Sequence, residues 1–140
     1  MTVVLDTNVV LTARVARHPC HAIVRALAVG RLTIAASTAI LFEYEEIVTA
    51  RAGAAQWRQF AAVLDLAAQL HDNVRHVEPS FRFRLITADP DDDKFADCAI
   101  AAEADFVVTD DAHFNALRGS GHKPQPITPA DFIARLSDAA

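Results

Sequence analysis

Three short apolar segments decide what this chain can fold into. Thr2–Leu5 (TVVL), residues 31–36 (RLTIAA) and residues 106–109 (FVVT) read as strands, and long stretches with helical spacing separate them. Strands that alternate with helices imply an α/β fold: a central parallel sheet flanked by helices. In such sheets, ligands bind at the carboxyl ends of the strands.

The segments between the strands carry their own punctuation. Residues 9–16 read as a helix or helical turn. Pro19 starts a second helix and Gly30 stops it. Ser37 is a good N-cap for a helix over Thr38–Ala52, which Gly53 breaks. Helical spacing resumes over 54–70, giving a helical hairpin. Residues 75–77 suggest a further short strand. The next stretch is irregular, and the alternation Phe81-Arg82-Phe83-Arg84 fits an edge strand or an exposed loop, with packing the expected role of the two rings. Asp89-Pro90 reads as N-cap and N1 of a helix reaching about Ala104. A short helix is expected over 111–117, a loop over 118–124, and a last helix with Thr128 as N-cap and Pro129 at N1.

At 140 residues the chain has the length of one domain, here 1–140, with a core of its own. It is 52% hydrophobic and 22% charged, which excludes a disordered chain. No apolar run approaches the roughly 18 residues of a membrane span, so no membrane association is expected. The N-terminus has no signal-peptide pattern, and two cysteines are too few for a disulfide framework. The expectation is a cytoplasmic protein with both thiols reduced.

The net charge of −5 argues against a strongly basic nucleic-acid binder. The charge is uneven, however. Asp89, Asp91, Asp92, Asp93, Asp97, Glu103, Asp105, Asp110 and Asp111 make up half of the 18 acids, and the rest of the chain is mildly basic. Asp6 sits just past the first strand, and Asp110 and Asp111 follow FVVT in the same way. If both strands are central and parallel, these acids meet at one edge of the sheet. Such a cluster repels itself unless a proton or cation intervenes, and Mg²⁺ or Mn²⁺ suits carboxylate oxygens. Against this, an Asp after a strand often caps a helix or shapes a turn.

Two helices offer further acids. On the helix after Ser37, the apolar face of Ile40, Leu41, Tyr44, Ile47 and Val48 is flanked equally by Glu43 and Glu45, with Glu46 furthest out. After Pro90, Phe95, Ala96, Ala99 and Ile100 mark the inner face. Asp92 projects from the middle of that face, Asp93 lies nearer its edge, and Asp97 points outward.

These positions coincide with a known family. The segments VVLDTNVVL (3–11), STAILFEYEEIV (37–48), DPDDDKFADCAIAAEADFVVTDDAHF (89–114) and ITPADF (127–132) resemble, in this order, a PIN domain (PilT N-terminus) of the ribonuclease-toxin type found in VapBC-like toxin–antitoxin pairs. The resemblance places the first strand-end Asp on Asp6 with Asn8 as its polar companion, and the helix acid on Glu43 rather than Glu45. The third acid falls on Asp92, with Asp93 one residue away as the alternative. The Thr-x-Asp-x-x-Phe signature falls on Thr109, Asp111 and Phe114. Two positions depart from the pattern: Asp110 stands where a small residue is common, and Glu103-Ala104 replaces a frequent Gly-Ala.

The resemblance implies a phosphodiesterase that hydrolyses RNA with Mg²⁺ or Mn²⁺. Asp6, Asp92 and Asp111 would be metal ligands, and Glu43 would complete the site or orient the attacking water. Asn8 and Thr109 would support through neutral hydrogen bonds. It also implies a cognate antitoxin and a homodimer. Arg14, Arg17, Arg82 and Arg84 are available to an RNA backbone. An aspartate-based phosphohydrolase is disfavoured, because the acid it needs two residues after Asp6 is Asn8. A phosphoacceptor receiver lacks its mid-chain Asp here, and His18-Pro19-Cys20-His21 is too tightly spaced for an ordinary zinc site. A non-catalytic RNA- or protein-binding domain of the same fold is the different-class alternative, and it has no physical need for the acids.

Overall fold

The computed structural model describes residues 1–138. Five strands, β1 (Thr2–Leu5), β2 (Thr33–Ala36), β3 (Val74–His76), β4 (Phe106–Val108) and β5 (Gln125–Ile127), form one sheet in the order β3-β2-β1-β4-β5, every pairing parallel. Helices α1 (Thr7–Ala13), α2 (His21–Ala28), α3 (Thr38–Ala52), α4 (Ala54–His71), α5 (Asp93–Ala101) and α6 (Pro129–Asp138) flank it. The expected α/β class and parallel sheet are thus realised. No helix among the described residues is long and apolar enough to cross a membrane.

The sheet grows outward from β1 in two directions, through β2 to β3 and through β4 to β5. The strand order therefore reverses between β1 and β4, the place where such sheets open a crevice. The register Val3↔Phe106, Val4↔Val107, Leu5↔Val108 runs on into a bond from the Asp6 N–H to the Val108 carbonyl at 3.0 Å. This puts the residues just past the two strands side by side. Val3, Val4, Leu5, Val107 and Val108 are buried with Phe95, Phe114 and Phe132 in one core. The Tyr44 hydroxyl, fully buried on α3, donates to the Leu5 carbonyl and pins α3 to the end of β1.

The helix signals Ser37, Gly53 and Thr128 work as read. Ser37 Oγ accepts from the Ile40 N–H at 3.3 Å, and Thr128 Oγ1 from the Asp131 N–H at 3.2 Å. Gly53 has φ +98° between α3 and α4. Four readings need correction. The segment before Thr128 is a fifth strand, which Pro126 disguised; a ring without an N–H is tolerated there because β5 is an edge. The helix after Asp89 begins with a 3₁₀ turn over Pro90–Asp92 and ends at Ala101, not Ala104. Glu103 turns left-handed there at φ +51°, and the Ala104 N–H bonds back to the Ala99 carbonyl.

Asp97 does not point outward. It is buried, and Oδ1 accepts the Phe83 N–H at 3.0 Å, because the loop over 78–89 wraps this side of α5. Residues 81–84 are that loop rather than a strand. Phe81 is not packed in a core: it is 73% exposed, and Phe83 is half-buried edge-on to His122.

Candidate active site

Asp6 ends β1 and opens α1. It has the extended backbone of an N-cap, yet its side chain makes no cap bond. Instead Oδ2 accepts from Thr109 Oγ1 at 2.7 Å, across the β1–β4 gap. Asp6 and Thr109 are both buried. Burial raises the Asp6 carboxyl above the usual range; the Thr109 and Thr7 bonds oppose this, and the charges of Asp111 and Glu43 add to it.

Thr109 serves two acids at once. Its hydroxyl donates to Asp6 and accepts the Asp111 N–H at 2.9 Å. Asp111 in turn caps the short 3₁₀ helix Ala112–Leu117, Oδ1 accepting the His113 N–H at 2.9 Å. The helix-cap reading of Asp111 therefore holds for one of its oxygens. Asp110, beside it, is exposed.

Asp92 comes from the 3₁₀ turn ahead of α5. Its side chain is only 13% exposed, and Oδ2 is buried without a hydrogen-bond partner. Its carboxyl is pushed up to about 7, first by burial and then by the charges of Asp89, Asp111 and Asp6. Asp93, the alternative third acid, turns elsewhere: Oδ1 accepts the Ile86 N–H at 2.9 Å and holds the 78–89 loop. Asp92 therefore lies within reach of the charges of Asp6 and Asp111, whereas Asp93 is engaged with the loop; among the described residues the ligand atoms of Asp6, Asp92 and Asp111 do not form a group within 4.8 Å.

The structure also separates the two glutamates that the helical wheel left equal. Glu43 is partly buried where α3 crosses α1, and Glu45 is exposed. The Thr7 hydroxyl donates to Glu43 Oε2, and Lys94 Nζ lies 2.6 Å from Oε1. Both Glu43 oxygens are thus occupied. Asn8, on the first turn of α1, is exposed.

Sequence reasoning missed Thr7, Lys94 and His113. Thr7 was hidden between Asp6 and Asn8. Lys94 was legible as a lone cation inside an acidic run. His113 is placed by the 3₁₀ turn after Asp111, and its Nδ1 lies 3.4 Å from Asp111 Oδ1 and 3.6 Å from Asp92 Oδ2. Among the described residues, the His/Cys/Asp/Glu group whose donor atoms come within 4.8 Å of one another is Asp89, Asp92 and His113. The His18–His21 segment forms no such group: His18 Nδ1 accepts the Cys20 N–H, and His21 Nδ1 contacts the Ala13 carbonyl.

The donor set fits a divalent cation. Two carboxylates and an imidazole come together, one carboxylate oxygen is buried with no partner, and burial, then like charges, pushes the Asp92 carboxyl up to about 7. Beside the acids, on the Asp93 and Lys94 side, runs a groove of about 750 Å³ lined also by Phe81, Arg82, Arg84 and Ile86.

A family model for the PIN domain matches residues 2–113, well over half of the chain. Among solved structures, VapBC2 from Rickettsia felis bound to a DNA fragment from their promoter is similar, with TM-score 0.55 and 20% identity over 90% of this chain and 98% of that one. At that identity the likeness is one of fold. Among curated proteins, none matches. A parallel sheet with its crevice between β1 and β4, acids gathered there, and a family match running through four of the five strands lead to one assignment: this chain belongs to the PIN-domain family.

Proposed function

We propose that the chain is a metal-dependent endoribonuclease, hydrolysing RNA phosphodiester bonds as the toxin of a toxin–antitoxin pair. The observation that carries this reading is the unpartnered, buried oxygen of Asp92, set among the charges of Asp89, Asp111 and Asp6. A self-repelling cluster of this kind costs stability, and a cation resolves the cost.

Asp6, Asp92 and Asp111 would hold Mg²⁺ or Mn²⁺. The bound ion supplies a Lewis acid that acidifies water and polarises a phosphoryl oxygen. The remaining steps belong to the chain itself. Thr109 fixes the Asp6 carboxylate and, through the Asp111 N–H, the start of the turn that carries Asp111. Glu43, steadied by Thr7 and Lys94, would orient the attacking water. Exposed Asn8 offers a neutral hydrogen-bonding group at the rim. Arg82, Arg84 and Lys94 line the adjoining groove, where cations can follow a phosphate backbone. Exposed Phe81 gives an unpaired base a stacking surface.

The toxin role rests on the resemblance and on the similar fold in a VapBC2 structure. The helical hairpin leaves Phe42, Leu66 and Leu70 exposed, apolar surface that an antitoxin could cover. A homodimer and a cytoplasmic location are part of the same proposal.

The test is cleavage of a panel of structured and single-stranded RNAs by antitoxin-free protein in Mg²⁺ or Mn²⁺, with EDTA and an Asp6→Asn preparation in parallel. Metal-dependent cutting that disappears in Asp6→Asn supports the proposal. Equal cutting by both preparations assigns the activity to a contaminant, and no cutting of any RNA by either favours a domain that only binds.

A further inference from the structure

We infer that the groove beside the acids is a base subsite that selects guanine in single-stranded RNA, with Asp97 as the residue that reads the base. The inference deepens the nuclease reading and rests on it for RNA as the ligand.

The groove lies between α5 and the 78–89 loop. Its volume of about 750 Å³ is that of a site enclosing a small organic ligand, enough for one base with its ribose and phosphate. Its wall holds a carboxylate. Asp97 is only 6% exposed, yet it lines the groove. Oδ1 accepts the Phe83 N–H at 3.0 Å, and Oδ2 accepts no hydrogen bond among the described residues. A carboxylate offers about four lone-pair sites, so most of its acceptor capacity is unused. Burial raises this carboxyl above the usual range, as expected of a buried anion short of donors.

Phe81 lines the same groove with its ring 73% exposed. Core packing does not account for a ring so open, whereas an unpaired base stacks on such a face. Arg82, Arg84 and Lys94 stand around it, where they can meet the flanking phosphates. Lys94 also ties the groove to the acids, since its Nζ lies 2.6 Å from Glu43 Oε1.

Hydrogen-bond chemistry chooses the base. On its Watson–Crick edge guanine turns two adjacent donors, N1–H and the N2 amino group, toward a carboxylate. Adenine and cytosine each set a ring-nitrogen acceptor beside their amino group, and uracil sets N3–H between two carbonyls. An ionised carboxylate only accepts, so it meets a repelling neighbour in those three bases and accepts twice from guanine.

The experiment is fluorescence anisotropy of labelled pentaribonucleotides in EDTA at low ionic strength, where binding is read without cleavage. The central base is guanine, adenine, cytosine, uracil or 1-methylguanine between flanking uracils, and the proteins are wild type, Asp97→Asn and Phe81→Ala. Wild type should bind the guanine pentamer about fivefold or more tighter than the uracil pentamer. The 1-methylguanine pentamer, which lacks the N1–H donor, should fall to the uracil level. Asp97→Asn keeps an oxygen for the Phe83 N–H and should bring the guanine and uracil pentamers within about twofold of each other. Phe81→Ala should weaken both by about fivefold or more and leave their ratio unchanged. Equal binding of the four bases by wild type, undiminished binding of 1-methylguanine, or a guanine preference that survives in Asp97→Asn overturns the inference. So does failure to bind any pentamer, which would leave the groove to a protein partner. The 1-methylguanine arm changes the ligand alone, so a poorly folded variant cannot decide the outcome. A nuclease without this subsite cuts RNA in Mg²⁺ but shows no base preference in EDTA, and a guanine reader that is no nuclease shows the reverse.

Discussion

Asp92→Asn should stabilise the metal-free protein, and should do so only where Asp92 would otherwise be charged. Asp92 is pushed from 3.8 to about 7 by burial and by Asp89, Asp111 and Asp6. Ionising a carboxyl so shifted costs roughly 4 kcal/mol at one extreme. Water and salt reach the open rim beside exposed His113, so about 1–2 kcal/mol is the part a measurement should recover. The folded-state value is raised, so between about pH 4 and 7 the folded chain holds a proton that the unfolded chain has lost. The contribution of this group to stability is therefore intact below about pH 4, falls as pH rises, and is fully lost above about 7.

An isosteric amide removes the charge and keeps the volume. Thermal unfolding in EDTA should show Asp92→Asn melting about 3–8 °C above wild type at pH 8, since a chain of this size shifts by about 3–4 °C per kcal/mol. The gap should shrink to a small fraction of that at about pH 3, where the carboxyl of the unfolded chain is protonated as well. A variant that melts at or below wild type at pH 8 would refute the reasoning, and so would a gap that does not change with pH. Either result would mean that the carboxylate is already solvated, or is paired by a group that the geometry does not reveal.

Other perturbations test neighbouring links. Mn²⁺ at about 100 times its dissociation constant should raise wild-type stability by about 2.7 kcal/mol, and melting curves of Asp92→Asn should show almost none of this gain. Thr109→Val keeps the shape but strips Asp6 and the Asp111 N–H of their shared partner; chemical denaturation should register a loss of about 1–3 kcal/mol. Lys94→Met should cost less than about 1 kcal/mol in stability, because the pair with Glu43 is partly exposed; steady-state kinetics should show a fall in kcat if the pair steadies Glu43. Asp97→Ala removes the acceptor of the Phe83 N–H, so hydrogen exchange should speed up in the 78–89 loop and leave β1 and β4 protected.

What the sequence reveals and what it hides divide along a physical line. Asp6 and Asp111 are legible because the backbone alone places a residue at the end of a parallel strand, and the apolar runs before them mark those ends, whereas Thr109 enters only through the family resemblance. Asp92 is legible because its helix has one clear apolar face. Glu43 and Glu45 are symmetric about their own helix, and only the crossing of α3 over α1, with Thr7 as contact, breaks that symmetry. Asp97 misleads because a distant loop, not solvent, covers its side of α5. The fifth strand misleads because Pro126 is a poor strand residue everywhere except at an edge. Glu103 ends α5 early by taking a left-handed turn where glycine is usual, a choice that no apolar period records.

Local preference and global fold agree over most of this chain: the caps cap, the glycine breaks, and the apolar faces meet. They disagree at the end of β1. There the sheet order, the α1–α3 crossing and the turn before α5 bring carboxylates from residues 6, 43, 92 and 111 toward one another against their charge. Each has a bland role open to it in its own segment, as cap, surface acid or dipole partner. Asp111 fills that role with one oxygen, Asp6 leaves its helix uncapped to reach Thr109, and Asp92 keeps a buried oxygen with no partner at all. Capping therefore explains Asp111 in part and Asp92 not at all. The departure from local consistency has a direction, toward a shared positive charge, and this is why a cation is a stronger explanation of the cluster than a coincidence of helix ends.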